Sequence, residues 1–309
     1  MLTLLCSGQG TQHVGMFRLT SAALVAEPVF DASSVLLGTD PREWVQTSSP
    51  EMMRKNRPAQ ILCVTQALAA RRLLEPALPE RLLVVGYSVG QVSAWGVAGL
   101  LSEEALLALV ARRAELMDLA GGEHDGLVSV RGLPRDQVEA LARQKDVEIA
   151  IVNPGDAFIL GGRAEAVSAF HDAALEAGAQ RSTILAVSVA SHTSRLAAAV
   201  PALREAITAA GPSSPKAGVT LLDGLNGATL FTVDRAIDTL SRQIAEPVQW
   251  AACLDAAIER GATAFLELGP GRALAEMAAA AHPDIPARSL EDFASADGVR
   301  DWIAREMTA

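Results

Sequence analysis

The stretch Gly86-Tyr87-Ser88-Val89-Gly90 holds a serine between two glycines, after the apolar run Leu82-Leu83-Val84-Val85 and before Gln91-Val92-Ser93-Ala94-Trp95. Strand, sharp turn and helix form the context of a G-x-S-x-G nucleophile elbow. The turn strains the serine, the glycines admit neighbouring backbone, and the helix aims N–H groups and its positive end at the serine oxygen. Ser88 in that setting is a candidate nucleophile for acyl transfer or acyl hydrolysis. The competing reading is a glycine-rich turn whose serine caps a helix. A serine nucleophile needs a base. Of the five histidines, His192 has the best context, at the carboxyl end of a strand over Thr183–Val189 and at the start of a helix. A capping or surface histidine is the alternative there. His13, His124, His171 and His282 fall in loops or on exposed faces.

These residues need elements to hold them. Leu2–Cys6 reads as a first strand, followed by the glycine-rich loop Ser7-Gly8-Gln9-Gly10-Thr11-Gln12. Such a loop lies at the carboxyl edge of a parallel sheet, where ligands bind. Pro58–Leu74 has an apolar helical face, and Ser102 caps a long helix running through Met117 to Gly121-Gly122. The rhythm then changes. Strand Leu127–Val130, helix Arg135–Arg143, strands Val147–Val152 and Ala157–Leu160, helix Ala164–Ala177 and strand Gln180–Val189 follow in order. That βαββαβ order is ferredoxin-like. The fold expected is α/β: a large domain with a parallel sheet over 1–122 and 191–309, and an inserted ferredoxin-like subdomain over 123–190. The large-domain pattern resumes with helix Thr193–Ala210, strand Val219–Leu222, helices Asp234–Ala245 and Val248–Arg260, strand Ala264–Leu268, helix Arg272–Ala281 and a closing helix ending near Met307.

Composition narrows the function. The chain has 309 residues, 50% of them hydrophobic and 4% aromatic, enough for a large core of Val/Leu strands and Ala/Leu helices. A net charge of −10 argues against a nucleic-acid face or adsorption to anionic membrane. Arg54-Lys55-Asn56-Arg57 and Arg71-Arg72 are the basic clusters, read as solvated surface. The three cysteines, Cys6, Cys63 and Cys253, have no disulfide or metal spacing and read as buried thiols; no metal site is expected. No apolar run approaches the ~20 residues of a membrane span. Leu2-Thr3-Leu4-Leu5-Cys6 lacks the flanks of a signal peptide, so a cytoplasmic location is expected.

Four motifs together, Gly8-Gln9-Gly10-Thr11-Gln12, Gly86-Tyr87-Ser88-Val89-Gly90, Ser191-His192 and Glu267-Leu268-Gly269-Pro270-Gly271, resemble in order and spacing the malonyl-CoA:acyl-carrier-protein transacylases, over roughly residues 2–280. The resemblance implies a serine-hydrolase-like large domain with a ferredoxin-like insert. It implies ping-pong malonyl transfer from malonyl-CoA to the thiol of an acyl carrier protein, with no bound cofactor. Ser88 resembles the acylated serine and His192 its general base. The backbone N–H groups of Gln9 and Val89 resemble the oxyanion hole. Arg113 matches the arginine that grips the malonyl carboxylate, Gln243 the residue whose carbonyl orients the histidine, and Asn153 a pocket residue. A guanidinium fork suits a carboxylate leaving water. The chain departs from the family where Tyr87 replaces His, Gln91 replaces Glu, and Cys6-Ser7 replace Phe-Pro. The Gly-Tyr-Ser-Val-Gly form with Val-Ala-Ser-His resembles the transacylase subunit of bacterial malonate decarboxylases. Transacylases of fatty-acid or polyketide synthesis, a serine thioesterase or esterase, and a non-catalytic docking subunit are the alternatives.

Overall fold

A computed structural model describes residues 1–122 and 124–308. Glu123, the first residue of the expected insert, and Ala309, the last of the large domain, lie outside the described residues. The strands in chain order are β1 Leu2–Cys6, β2 Leu82–Gly86, β3 Asp125–Arg131, β4 Glu148–Asn153, β5 Ala157–Arg163, β6 Arg181–Ile184, β7 Val219–Leu221, β8 Val248–Gln249, β9 Ala264–Glu267 and β10 Ala287–Ser289. They form two sheets. The first, in order β10-β9-β1-β2-β7, is parallel throughout. Its central strands are continuous apolar runs because both faces are covered. Alternate residues point to opposite faces. Leu2, Leu4, Leu82, Val84 and Leu266 pack with the helix Asn56–Leu74 and with Trp95; Leu5, Leu83, Val85 and Phe265 pack with Trp250 and Leu254.

The second sheet, in order β6-β3-β5-β4-β8, carries the expected βαββαβ order, its antiparallel strands backed by helices Arg135–Lys145 and Ala164–Glu176. One face closes its own core through Val128, Val130, Phe158, Leu160 and Phe170. The other presents Leu127, Ala150 and Ile151 to the apolar cluster on the large sheet. The two sheets therefore share one core layer, and the carboxyl ends of β1 and β2 open beside it.

Three expectations are corrected. The strand read over Gln180–Val189 ends at Ile184. Leu185 N makes a last bond to Leu127 O, at 2.8 Å, and the chain then leaves the ladder. Val248–Gln249 is not helical; it is a short strand parallel to Ile151-Val152, and the helix starts at Trp250. The helix expected from Thr193 begins as a 3₁₀ segment, Ser194–Ala199, before Val200–Ala209. Pro201 explains it: an α-helix would press its ring against the carbonyl of residue 197. Here Ala197 O instead accepts from Val200 N. Over 13–57, where the sequence assigns no element, lie the helices Glu27–Leu37, Pro41–Thr47 and Pro50–Arg54. Among the described residues no helix is long and apolar enough to cross a membrane.

Candidate active site

Ser88 sits at φ 55° between β2 and the helix Gly90–Ala98. A non-glycine residue held there stores about 1–3 kcal/mol of strain, which the surroundings must enforce. They do so by close approach. A Cβ on Gly86 would lie 2.0 Å from the Gly90 carbonyl carbon, and one on Gly90 would lie 2.0 Å from Cys6 O. Only glycine allows β1, β2 and the helix to meet this tightly. Tyr87 N donates to Cys6 O at 3.0 Å, which pins the turn to β1. Gln91 adds a second clamp: its Oε1 accepts from Gly86 N at 2.9 Å and its Nε2 donates to Leu222 O at 2.8 Å. That position needs an acceptor and a donor at once. A glutamine supplies both and an ionised glutamate does not.

His192 is buried and also left-handed, at φ 66°. Its backbone N donates to Ile244 O at 2.7 Å, and its Nδ1 lies 2.6 Å from Gln243 O. A carbonyl only accepts, so Nδ1 carries the proton and Nε2 presents a lone pair. Nε2 lies 2.7 Å from Ser88 Oγ, placing the hydroxyl as donor. Burial, then the Arg113 charge, lower the His192 pKa to about 3 against the pull of Gln243 O. The imidazole is thus neutral near pH 7 and free to accept a proton.

Ser88, His192, Gln9 and Arg113 line one cavity of about 180 Å³. Its apolar wall is Leu127, Ile151, Ile159, Leu185 and Val187, and Tyr87, also lining it, packs with the same apolar cluster. Neither Gln9 N nor Val89 N has an acceptor among the described residues. Val89 is fully buried at the foot of the elbow helix. Arg113 projects from the helix Glu103–Ala120 and is 1% exposed. Its Nη1 donates to Gln60 Oε1 at 2.6 Å, while its Nε and Nη2 have no partner among the described residues. No carboxylate there lies within ion-pair distance of it. Burial lowers its pKa to about 10, which leaves it charged at neutral pH. A buried cation with open donors is costly unless an anion joins it.

One expected pocket residue stands elsewhere. Asn153 does not line the cavity. Ile151 and Asn153 share a face of β4; Ile151 joins the wall, while Asn153, at the strand's end, lies beside the Tyr87 phenol, its Oδ1 buried without a partner among the described residues. Gln243 stands behind His192, which its carbonyl holds, and its side-chain Oε1 and Nε2 are buried without partners among the described residues. Sequence reasoning missed Gln60, Asn56 and Arg54. The first two are a polar i,i+4 pair on an otherwise apolar helix, the signal that would have marked them. Arg54, read as solvated surface, is exposed at the cavity mouth. The motif residue Glu267 underlies the loop after β1: Ser7 Oγ donates to its Oε1 at 2.7 Å and Ala275 N to its Oε2 at 2.9 Å. Burial raises its pKa to about 8.

Known proteins share the sequence pattern and the fold. A malonyl CoA-acyl carrier protein transacylase from Mycobacterium tuberculosis is 29% identical over 304 residues, covering 96% of this chain and 98% of that protein. The crystal structure of an acyl-carrier-protein S-malonyltransferase from Burkholderia pseudomallei superposes with a TM-score of 0.90 at 26% identity, over 97% of this chain and 99% of that one. A malonyl-transacylase solved in complex with its type II PKS acyl-carrier protein gives the same TM-score of 0.90 and 26% identity, over 97% of this chain and 99% of that one. The acyl transferase domain family model matches residues 51–295, and the chain belongs to that family of acyltransferases.

Proposed function

We propose that this acyltransferase moves a malonyl group from malonyl-CoA to the thiol of an acyl carrier protein, through an ester on Ser88. The observation that carries the acidic acyl group is Arg113: a buried cation on the cavity wall with Nε and Nη2 unpartnered among the described residues. The malonyl carboxylate accepts from those two donors and supplies the missing counter-charge. His192 Nε2 takes the Ser88 proton as Oγ attacks the thioester carbonyl. Gln9 N–H and Val89 N–H donate to the resulting oxyanion, a contribution of about 3–4 kcal/mol per donor. The intermediate collapses, the C–S bond breaks, and His192 returns the proton to the CoA sulfur. The carrier thiol then binds, gives its proton to His192, attacks the ester carbonyl and releases Ser88. Gln243 O stabilises the imidazolium formed in each half, so a carbonyl serves where other serine enzymes use an aspartate.

The large domain over 1–122 and 191–309 would supply nucleophile, base and arginine, and the subdomain over 123–190 the apolar wall. A role in loading the small carrier of a malonate decarboxylase, in the cytoplasm, is the finer reading. It is favoured by Tyr87 in the elbow and by the Val189-Ala190-Ser191-His192 form. The test is malonyl transfer from malonyl-CoA to a phosphopantetheinylated carrier protein. Transfer by the wild type and none by Ser88→Ala supports the function; CoA release without carrier loading supports a thioesterase. Loading of a malonate decarboxylase carrier in preference to a fatty-acid carrier supports the finer reading, and the reverse preference removes it.

A further inference from the structure

Arg113 is held in an unusual way. A buried guanidinium is ordinarily met by a carboxylate. Here its one protein partner among the described residues is a neutral amide, Gln60 Oε1. The contact is the end of a chain. Gln60 Nε2 donates to Asn56 Oδ1 at 2.6 Å, and Asn56 Nδ2 donates to Asp118 Oδ1 at 2.8 Å and to Ala114 O at 3.2 Å. Asn56 and Gln60 lie one turn apart on the helix Asn56–Leu74; Arg113, Ala114 and Asp118 lie on the helix Glu103–Ala120 packed against it. Gln60 is fully buried and Asp118 reaches the surface.

The chain has a direction. The two ends of a carboxamide are nearly the same shape, so packing alone does not decide which end faces where. A carboxylate only accepts. Asp118 and Ala114 O therefore require the Asn56 NH₂ on their side, which turns Asn56 Oδ1 toward Gln60. Gln60 must then present its NH₂ to Asn56 and its oxygen to Arg113. With Gln60 reversed, an NH₂ would face the guanidinium and one Arg113 N–H would lose its acceptor inside the protein. A carboxylate in place of Gln60 would fix the guanidinium equally well but would neutralise it.

We propose that Asp118, Asn56 and Gln60 are positioning residues: a relay of oriented amides, set by a surface carboxylate, that fixes the Arg113 guanidinium for an acyl carboxylate while leaving its charge unspent. The proposal rests on Arg113 receiving that carboxylate. The relay acts on acidic donors only, so its signature is a split between malonyl-CoA and acetyl-CoA in the rate of Ser88 acylation. Asp118→Asn, isosteric and at the surface, removes the charge and leaves Ala114 O alone to direct Asn56. It should raise KM for malonyl-CoA about tenfold, the scale of one charge-assisted hydrogen bond, with kcat unchanged. Gln60→Glu gives Arg113 an internal anion and should cut kcat/KM for malonyl-CoA about 100-fold or more. The slow acylation by acetyl-CoA should stay at its wild-type rate in both variants, which also reports an intact fold. The relay is overturned if malonyl-CoA and acetyl-CoA kinetics change together, or if both variants keep the wild-type malonyl-CoA KM. Arg113→Met separates the two levels of the argument. If it keeps the malonyl preference, the reading of Arg113 fails and the relay with it. If it abolishes the preference while Asp118→Asn and Gln60→Glu do not, the relay alone fails.

Discussion

Replacing Arg113 by Met removes the cation and keeps an unbranched, flexible stem that fills part of the same space. In the free protein the guanidinium has one neutral partner and two unpartnered nitrogens among the described residues, Nε and Nη2. An acyl carboxylate bound to both gains two charge-assisted hydrogen bonds, each about 1.5–3 kcal/mol. The variant should lose about 3–6 kcal/mol of stabilisation of the malonyl group in the transition state, about 10²–10⁴ in kcat/KM. Acetyl-CoA makes neither bond, so its slower acylation of Ser88 should change little. The fold should survive, because a buried charge without a counter-ion costs stability rather than adding it. The assay is rapid-quench acylation of Ser88 by each thioester, read by intact mass, with a thermal melt as control. Equal losses for both donors would assign Arg113 a structural role, and an unchanged malonyl preference would refute the reasoning outright.

Three further predictions concern the groups around it. His192 is neutral in the free protein down to about pH 3, in part because Arg113 repels its proton. A malonyl carboxylate on Arg113 cancels that repulsion, so the acid limb of the single-turnover rate at saturating donor should lie at higher pH for malonyl-CoA than for acetyl-CoA. Coincident limbs would show that Arg113 does not act on His192. Gln91→Glu turns a donor that meets Leu222 O into an acceptor, in a fully hydrogen-bonded buried position. It should cost about 1–3 kcal/mol, a fall of several degrees in Tm at neutral pH; an unchanged Tm would contradict the clamp. Glu267, with its pKa raised to about 8, holds a proton in the folded state that the unfolded chain gives up near pH 4.5. Its contribution is complete below pH 4.5 and is lost as pH rises through about 8. Glu267→Gln, which keeps acceptor and shape, should therefore flatten the decline of Tm between those pH values, and parallel curves would count against the assignment.

Much of this architecture was legible because it is local. The apolar runs of β1 and β2, the glycines around Ser88 and the Ser102 cap each declare themselves within a few residues. The βαββαβ order over the second sheet did so too. The misread parts depend on distant partners. Val248–Gln249 becomes a strand only by lying beside Ile151-Val152. Residues 185–189 alternate like a strand, yet Leu185 and Val187 line the cavity, and among the described residues no strand continues the ladder past Ile184. The helices between 13 and 57 did carry signals: Pro28, Pro41 and Pro50 in their first turns, with Asp40 and Ser49 as caps.

The site divides in the same way. Ser88 and His192 are named from their motifs and Arg113 from the family resemblance, and the three line one cavity. What a motif does not carry is the arrangement behind them. The Gln243 carbonyl reaches His192 across 51 residues, and the Asp118 chain to Arg113 exists only once two helices pack. Asn153 is placed in the pocket by resemblance alone; it shares the face of Ile151 but stands at the end of β4, beside Tyr87.

The central claim is that Ser88 carries an acidic acyl group between two thiols. Intact-protein mass after brief exposure to malonyl-CoA or acetyl-CoA, on the wild type and Ser88→Ala, tests it most directly. The wild type should gain a malonyl adduct far faster than an acetyl adduct; the adduct should be absent from Ser88→Ala and discharged by a phosphopantetheine thiol. A malonyl adduct that persists in Ser88→Ala, or CoA release with no adduct and no transfer to thiol, would contradict it.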